Sequence, residues 1–202
     1  MKVNKGDYGY IRAQKIKRTL ITLALFVLPV GLFLIGYFTT HTRKNLLTLV
    51  AILGCLPACK SMVGAIVMWM QRSVKQEVYD KIQPAVGKLV VSYEMYITTY
   101  DKSLFLDAAA ICGNTVVFYT SKAPAKDLVE FMEQYIQKIL RHNGYKENIK
   151  ILTDIKPFLE RMNYMNQHQK ELNEGVKFRP DEQYPDLSRD ELVKHTILAI
   201  SL

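Results

Sequence analysis

Two long apolar runs near the N-terminus, Leu20 to Phe38 and Leu46 to Met70, constrain this chain more than any other feature. An α-helix needs about 20 apolar residues to cross the hydrocarbon of a bilayer. The interval Thr39 to Asn45 has room only for a tight connection, so the runs predict a hairpin of two transmembrane helices. A cleaved signal peptide is the rival reading of the first run. Its apolar stretch is longer than an h-region, and no small-x-small cleavage site follows it. The other two-thirds of the chain has the composition of a soluble domain.

Basic flanks are retained on the cytoplasmic side of a membrane. Lys2, Lys5, Arg12, Lys15, Lys17 and Arg18 precede the first run, Arg72, Lys75, Lys81 and Lys88 follow the second, and the connection holds Arg43 and Lys44. The pattern predicts a cell-membrane protein with both termini cytoplasmic. The formal charge of +8 belongs to this region: residues 1–70 carry nine Lys/Arg against Asp7, whereas residues 71–202 carry eighteen Lys/Arg against eighteen Asp/Glu. A juxtamembrane base is worth about 1 kcal/mol near anionic headgroups. The neutral soluble part lacks the footprint of a nucleic-acid binder. Cys55, Cys59 and Cys112 form no disulfide framework, and His41, His142, His168 and His195 lack ligand spacing for zinc.

In the second run, Gly54 and Ala58 are four apart, as are Ser61 and Ala65. Such spacing lets helices approach closely in lipid. It serves either self-association, with Cys55 and Cys59 alongside, or packing of the hairpin on itself, which the abundance of small residues in spans favours. Pro57 removes a backbone donor and predicts a kink. Lys60 is the only charge in either run, and at mid-bilayer it costs at least about 2.5 kcal/mol. It marks a polar site or subunit contact, or it snorkels to the cytoplasmic headgroups if the hydrocarbon ends near Ala65. In the second case Trp69 and Tyr37 fall in the aromatic belts.

Beyond the runs, Arg72 to about Ala85 is expected to continue as a helix, ended by Pro84 and Gly87. Lys88–Thr99, Leu104–Cys112 and Thr115–Thr120 have strand composition, with Gly113-Asn114 as a hairpin turn. Leu128, Phe131, Met132, Tyr135, Ile136, Ile139 and Leu140 repeat at helical spacing, with Gly144 placed as a cap. Asn148–Thr153 reads as a strand, Lys156 to about Glu171 as a helix, and Gly175 to Asp186 as a linker. Ser188 and Glu191 form a capping box for a last helix. Its apolar side, Leu192, Val193, Ile197 and Ile200, either covers the domain or docks on a partner. Tyr93, Tyr96 and Tyr100 read as half-buried strand surface, and Cys112 as a buried thiol.

The stretch from Phe105 through Asp107, Gly113, Asn114 and Thr120 to Lys122 resembles the hairpin of nuclease-related (NERD) domains, of the restriction-endonuclease-like superfamily. The resemblance extends loosely to element order over residues 73–165. It implies a metal-binding Asp107, a water-orienting Lys122, Glu77 as the helical acid, and Mg²⁺ as cofactor for phosphodiester cleavage. The hairpin carboxylate of that pattern is Thr120 here, a poor ligand, so the implied site is incomplete.

The expected architecture is therefore a membrane α-helical hairpin plus a small cytoplasmic α/β domain of order α-β-β-β-α-β-α with a C-terminal helix. Residues 1–18 are a basic cytoplasmic segment, 19–70 the two spans, 71–174 the domain, and 175–202 linker and tail helix. The expected function is a non-catalytic tether in the lipid bilayer, joining a protein partner or copies of itself. Its candidate contact surfaces are the strand hairpin, the tail helix and the small face of the second span. A degenerate metal-dependent nuclease is the alternative.

Overall fold

The computed structural model describes residues 3–42, 45–174, 176, 178 and 184–201. Arg43 and Lys44 of the helical connection, and much of the linker from Gly175 onward, lie outside these. Two compact units result: Ile11–Arg72, and an α/β unit made of Met1–Tyr10 with Ser73–Leu202.

The first unit is a helical hairpin of α1 (Tyr10–Thr40) and α2 (Leu46–Met70). Asn45 caps α2 by accepting from the Thr48 amide at 2.7 Å. Small residues set the helix contact. Ala51, Ala58 and Ala65, seven apart, are buried along one stripe of α2. A Cβ on Gly36 would meet that of Leu47 at 2.8 Å, and one on Gly54 would touch Pro29 at 3.5 Å. Thr22 and Ser61 share a hydrogen bond of 2.8 Å across the contact. The outward faces are apolar. Among the described residues, every exposed large hydrophobic lies on α1 or α2 except Tyr100, Phe131, Tyr164, Phe178 and Tyr184.

The helix expected over Arg72–Ala85 is interrupted. Gln71 ends α2 in an extended conformation, and a separate α3 begins at Gln76, closed by a 3₁₀ turn over Gln83–Ala85. The interruption has a tertiary cause, since the Val74 amide is held by the Glu94 carboxylate at 3.1 Å. Strands β1 (Val90–Thr98), β2 (Ser103–Cys112), β3 (Thr115–Tyr119) and β4 (Asn148–Leu152) form one sheet in that order. The first two pairings are antiparallel and the last is parallel. Helix α4 (Lys126–His142) makes the crossover to β4. It ends in a Schellman cap, with Tyr145 N–H donating to Leu140 O at 2.9 Å and Gly144 N–H to Arg141 O at 3.0 Å, Gly144 taking φ +86°. Helices α5 (Ile155–Gln167) and α6 (Gln169–Asn173) follow, where one helix was expected, and α7 (Arg189–Ala199) closes the chain.

One core lies between the sheet and α4 with α7, built on Met95, Leu106, Phe118, Met132, Ile136 and Val193. The other lies under α3 and α5, around Tyr93, Ala110, Val117, Phe158 and Met162. Two central strands buried on both faces explain their near-continuous apolar sequence. Simple alternation fails once on each of β1 and β2. Tyr93 and Met95 enter opposite cores, as do Leu106 and Ala108. Tyr93 pairs with Ala108 and Met95 with Leu106, so the intervening Glu94 and Asp107 occupy matching places. Glu94 has φ +56°, a conformation uncommon outside glycine. Both strands exchange faces together there.

Open sheet edges invite foreign strands, and both edges here are occupied. Tyr93 N–H on β1 donates to Gly6 O at 2.8 Å, Ile97 bridges Ser201, and Lys5 Nζ donates to Ser201 O at 2.6 Å. On β4, the Ile151 amide donates to Glu133 at 2.7 Å, and Gln137 donates to the Glu147 carbonyl at 3.2 Å.

Candidate functional site

The nuclease-like residues differ in burial and in partners. Asp107 is buried on β2, and its carboxylate accepts the Ser121 amide at 2.5 Å. Burial raises its pKa, with Ser121 pulling the other way. The Thr120 hydroxyl donates to Phe105 O at 2.9 Å. Lys122 and Glu77 are both exposed. Among the described residues, no three His, Cys, Asp or Glu side chains are grouped as a metal would need. Asp107 thus lacks two further ligands of these types among the described residues. Asp107 and Glu94 instead anchor the chain where it leaves β3 and where it enters α3.

A buried charge network lies at the turn that follows β2, where sequence reasoning placed no site. Arg189, the first residue of α7, donates to Gly113 O, to Asn114 Oδ1 at 3.2 Å and to Glu147 Oε1 at 2.5 Å. Asp190 accepts the Gly113 amide at 3.3 Å. The Gly113-Asn114 turn is thus held by the tail helix. Gly113 takes φ +55°, and a Cβ there would strike the Leu172 carbonyl of α6. Burial pushes the Glu147 carboxyl up to about 7 against the pull of Arg189, and raises Asp190 too. Among the described residues, Glu147 Oε2 and Asp190 Oδ1 have no hydrogen-bond partner. The same burial, with Asp190 nearby, pushes the Cys112 thiol up to about 11, which makes it a poor nucleophile at neutral pH. A cleft of about 430 Å³, lined by Arg141, Gly144, Lys146, Glu147 and Asn148, opens beside the network. The signal available in sequence was Arg189-Asp190 directly after an N-cap, opposite a Gly-Asn turn.

The hairpin residues separate by face. Gly54 and Ala58 point into the α1–α2 contact, with Ala58 fully buried. Cys55 is half-buried, while Cys59 and Lys60 are exposed. The contacts Gly36–Leu47, Pro29–Gly54 and Thr22–Ser61 fix the register. Lys60 therefore lies level with Leu23, and Arg18, whose guanidinium is 3.4 Å from Gly64 O, lies about 7 Å further along the axis.

The three expected contact surfaces are consumed inside the fold. The apolar side of α7 covers the sheet, with Leu192, Val193 and Ile197 all buried. The β2–β3 hairpin is central, and every residue of β3 is buried. The small face of α2 is likewise turned to α1. Tyr93 is buried and packs edge-on to Tyr79 at 5.3 Å, Tyr96 is half-buried, and Tyr100 is wholly exposed. Exposed aromatic surface in the α/β unit includes Tyr100 and, on α4, Phe131 stacked on Tyr135 with Lys102 Nζ 4.3 Å from its ring.

Compared with protein-family models, curated proteins and solved structures, the chain matches none. The class defined by its own residues is a two-helix apolar hairpin joined to a small mixed α/β domain with a four-stranded sheet and a C-terminal helix.

Proposed function

We propose that this chain is an integral membrane protein whose hairpin crosses the bilayer twice and tethers the α/β unit at the cytoplasmic face as a non-catalytic assembly domain. The observation that carries this is the outward surface of α1 and α2. Only 17% and 11% of their most apolar stretches are buried, and exposed apolar area on this scale needs a non-aqueous surrounding. From Thr19 to Thr40 an α-helix rises about 32 Å, close to the hydrocarbon thickness.

Topology gains support from the α/β unit. Gly6 and Tyr8 are built into it, through the Tyr93 hydrogen bond and the stacking of Tyr8 on Tyr79 at 4.0 Å. The segment before α1 and the domain after α2 therefore share one side, as two crossings require. The basic residues around the runs favour the cytoplasmic side. The register supports snorkelling of Lys60, because the Arg18 level is within about a lysine's reach. Assembly is best supported at the aromatic surface of Tyr100, Phe131 and Tyr135, since the other candidate faces are occupied within the chain.

Membrane fractionation tests the anchor: the intact chain should stay in the pellet through alkaline carbonate and leave it only with detergent. Terminal tags should be inaccessible to reagents in intact cells. Recovery in the supernatant, or labelling from outside, defeats the reading. Introducing charge by Tyr100→Glu with Phe131→Glu should abolish any assembly seen by crosslinking in native membranes. Unchanged crosslinking would remove that surface from the account.

A further inference from the structure

At the basic end of the hairpin, α1 and α2 part to leave an apolar groove of about 530 Å³. Its walls include Leu23 and Phe26 from α1 and Met62, Ile66 and Trp69 from α2. The volume falls within the range of about 300–1,000 Å³ usual for small-molecule sites. Its few polar groups are already satisfied. Trp69 Nε1 donates to Thr19 Oγ1 at 2.9 Å, Thr19 donates to Lys15 O at 2.8 Å, and Thr22 is bonded to Ser61. An occupant must therefore be apolar along the groove.

The mouth has the opposite character. Lys15 precedes Thr19 by one helical turn on the same face, and its Nζ lies 5.8 Å from the centroid of the Trp69 ring. Arg18 lies beside it against Gly64. The sequence from Tyr8 to Gln76 contains no Asp or Glu, so these bases have no acidic partner within the hairpin. Their counter-charge has to come from outside it. A long apolar slot ending at an indole and two cations with no acidic partner within the hairpin matches an amphiphile with an anionic head.

We propose that this groove binds an acidic phospholipid, with one acyl chain lying between Leu23, Phe26, Met62 and Ile66 and the phosphate facing Lys15 and Arg18. The inference rests on the membrane reading above and makes it more specific. A plain anchor draws anionic headgroups diffusely through its flanking bases, whereas this groove holds one lipid at one place.

Trp69 is the only tryptophan, so its fluorescence reports on this groove alone. The full chain is reconstituted in phosphatidylcholine vesicles with a minor fraction of phosphatidylglycerol, and brominated chains, which quench indole, are placed on one lipid or the other. Brominated phosphatidylglycerol should quench more than brominated phosphatidylcholine at equal mole fraction. The preference should reach about fivefold in relative affinity, the worth of one juxtamembrane base. Lys15→Gln with Arg18→Gln should erase it, Lys60→Gln should keep it, and soluble glycerol phosphate should leave it unchanged. Equal quenching by both lipids in the unaltered chain, or a preference surviving the double substitution, overturns the site and leaves the anchor standing. Displacement by glycerol phosphate also overturns it, in favour of a free phosphate site. Absence of quenching by either lipid defeats the membrane reading itself.

Discussion

Arg189 holds Glu147 at 2.5 Å with both side chains withdrawn from water, joining the first turn of the tail helix to the loop before β4. Removing one member of such a pair leaves a buried group that must stay charged or take up a proton, a cost of up to about 3–5 kcal/mol, whereas replacing both by apolar groups is often neutral. Arg189→Leu should therefore destabilise the α/β unit by that order, and Arg189→Leu with Glu147→Leu should recover much of it. Denaturant titration of the full chain in detergent measures both. A double variant as weak as the single one would deny the pairing any structural role.

Glu147 also sets a pH dependence. Its carboxyl is pushed up to about 7 by burial, so the folded chain keeps a proton that the unfolded chain releases near 4.5. Stability from this group is full below about pH 4.5 and is lost as pH rises through about 7, on the order of 3 kcal/mol. Asp107 and Asp190, also raised, act in the same direction, while exposed Glu191, lowered by Ser188, opposes them. Denaturation midpoints should fall between about pH 5 and about pH 8, and Glu147→Gln should flatten the profile. A midpoint climbing over that interval would contradict the assignment.

Tyr8 stacks on Tyr79 at 4.0 Å and meets Tyr93 edge-on at 6.4 Å, whereas Tyr100 touches nothing comparable. Aromatic pairs contribute about 0.5–1.5 kcal/mol beyond area burial. Tyr8→Ala should lower domain stability by roughly 1–3 kcal/mol, and Tyr100→Ala by no more than about 0.5 kcal/mol. Equal effects would mean that the segment before α1 is not docked in solution.

One oxygen of the Asp107 carboxylate accepts from Ser121, and the reading as a tether expects no phosphodiester chemistry. Purified full-length protein with Mg²⁺ or Mn²⁺ should leave DNA and RNA intact in gel assays. Asp107→Asn should cost about 1–2 kcal/mol of stability through a weakened anchor for the Ser121 amide. Cleavage that Asp107→Ala abolishes would restore the enzyme reading.

Much of the α/β unit was legible because its elements announce themselves locally. The Gly113-Asn114 turn, the heptad-like stripe of α4 and the Ser188–Glu191 box each carry their structure in adjacent residues, and all three form. The helix expected over Arg72–Ala85 fails at Val74, because its amide is taken by Glu94, twenty residues on. The face exchange at Glu94 and Asp107 was likewise hidden, since strand pattern alone does not reveal a positive φ. The nuclease-like reading of Asp107 and Lys122 relied on spacing along one hairpin. The structure buries the first and exposes the second, and the Asp107 carboxylate is held by the amide of Ser121, next to Lys122.

The sequence alone determined that two segments are long and apolar and that the charge excess flanks them, because hydrophobicity and net charge are sums over residues and need no fold. It also determined which segments coil and which extend, since those follow from spacing and turn chemistry. Only the tertiary structure decided which faces are spent. It turned Ala58 towards α1 and Val193 towards the sheet, wove Gly6 onto β1, and brought Arg189 to Glu147 across 42 residues. Contacts between distant residues arise from packing the whole chain at once, and no local pattern encodes them.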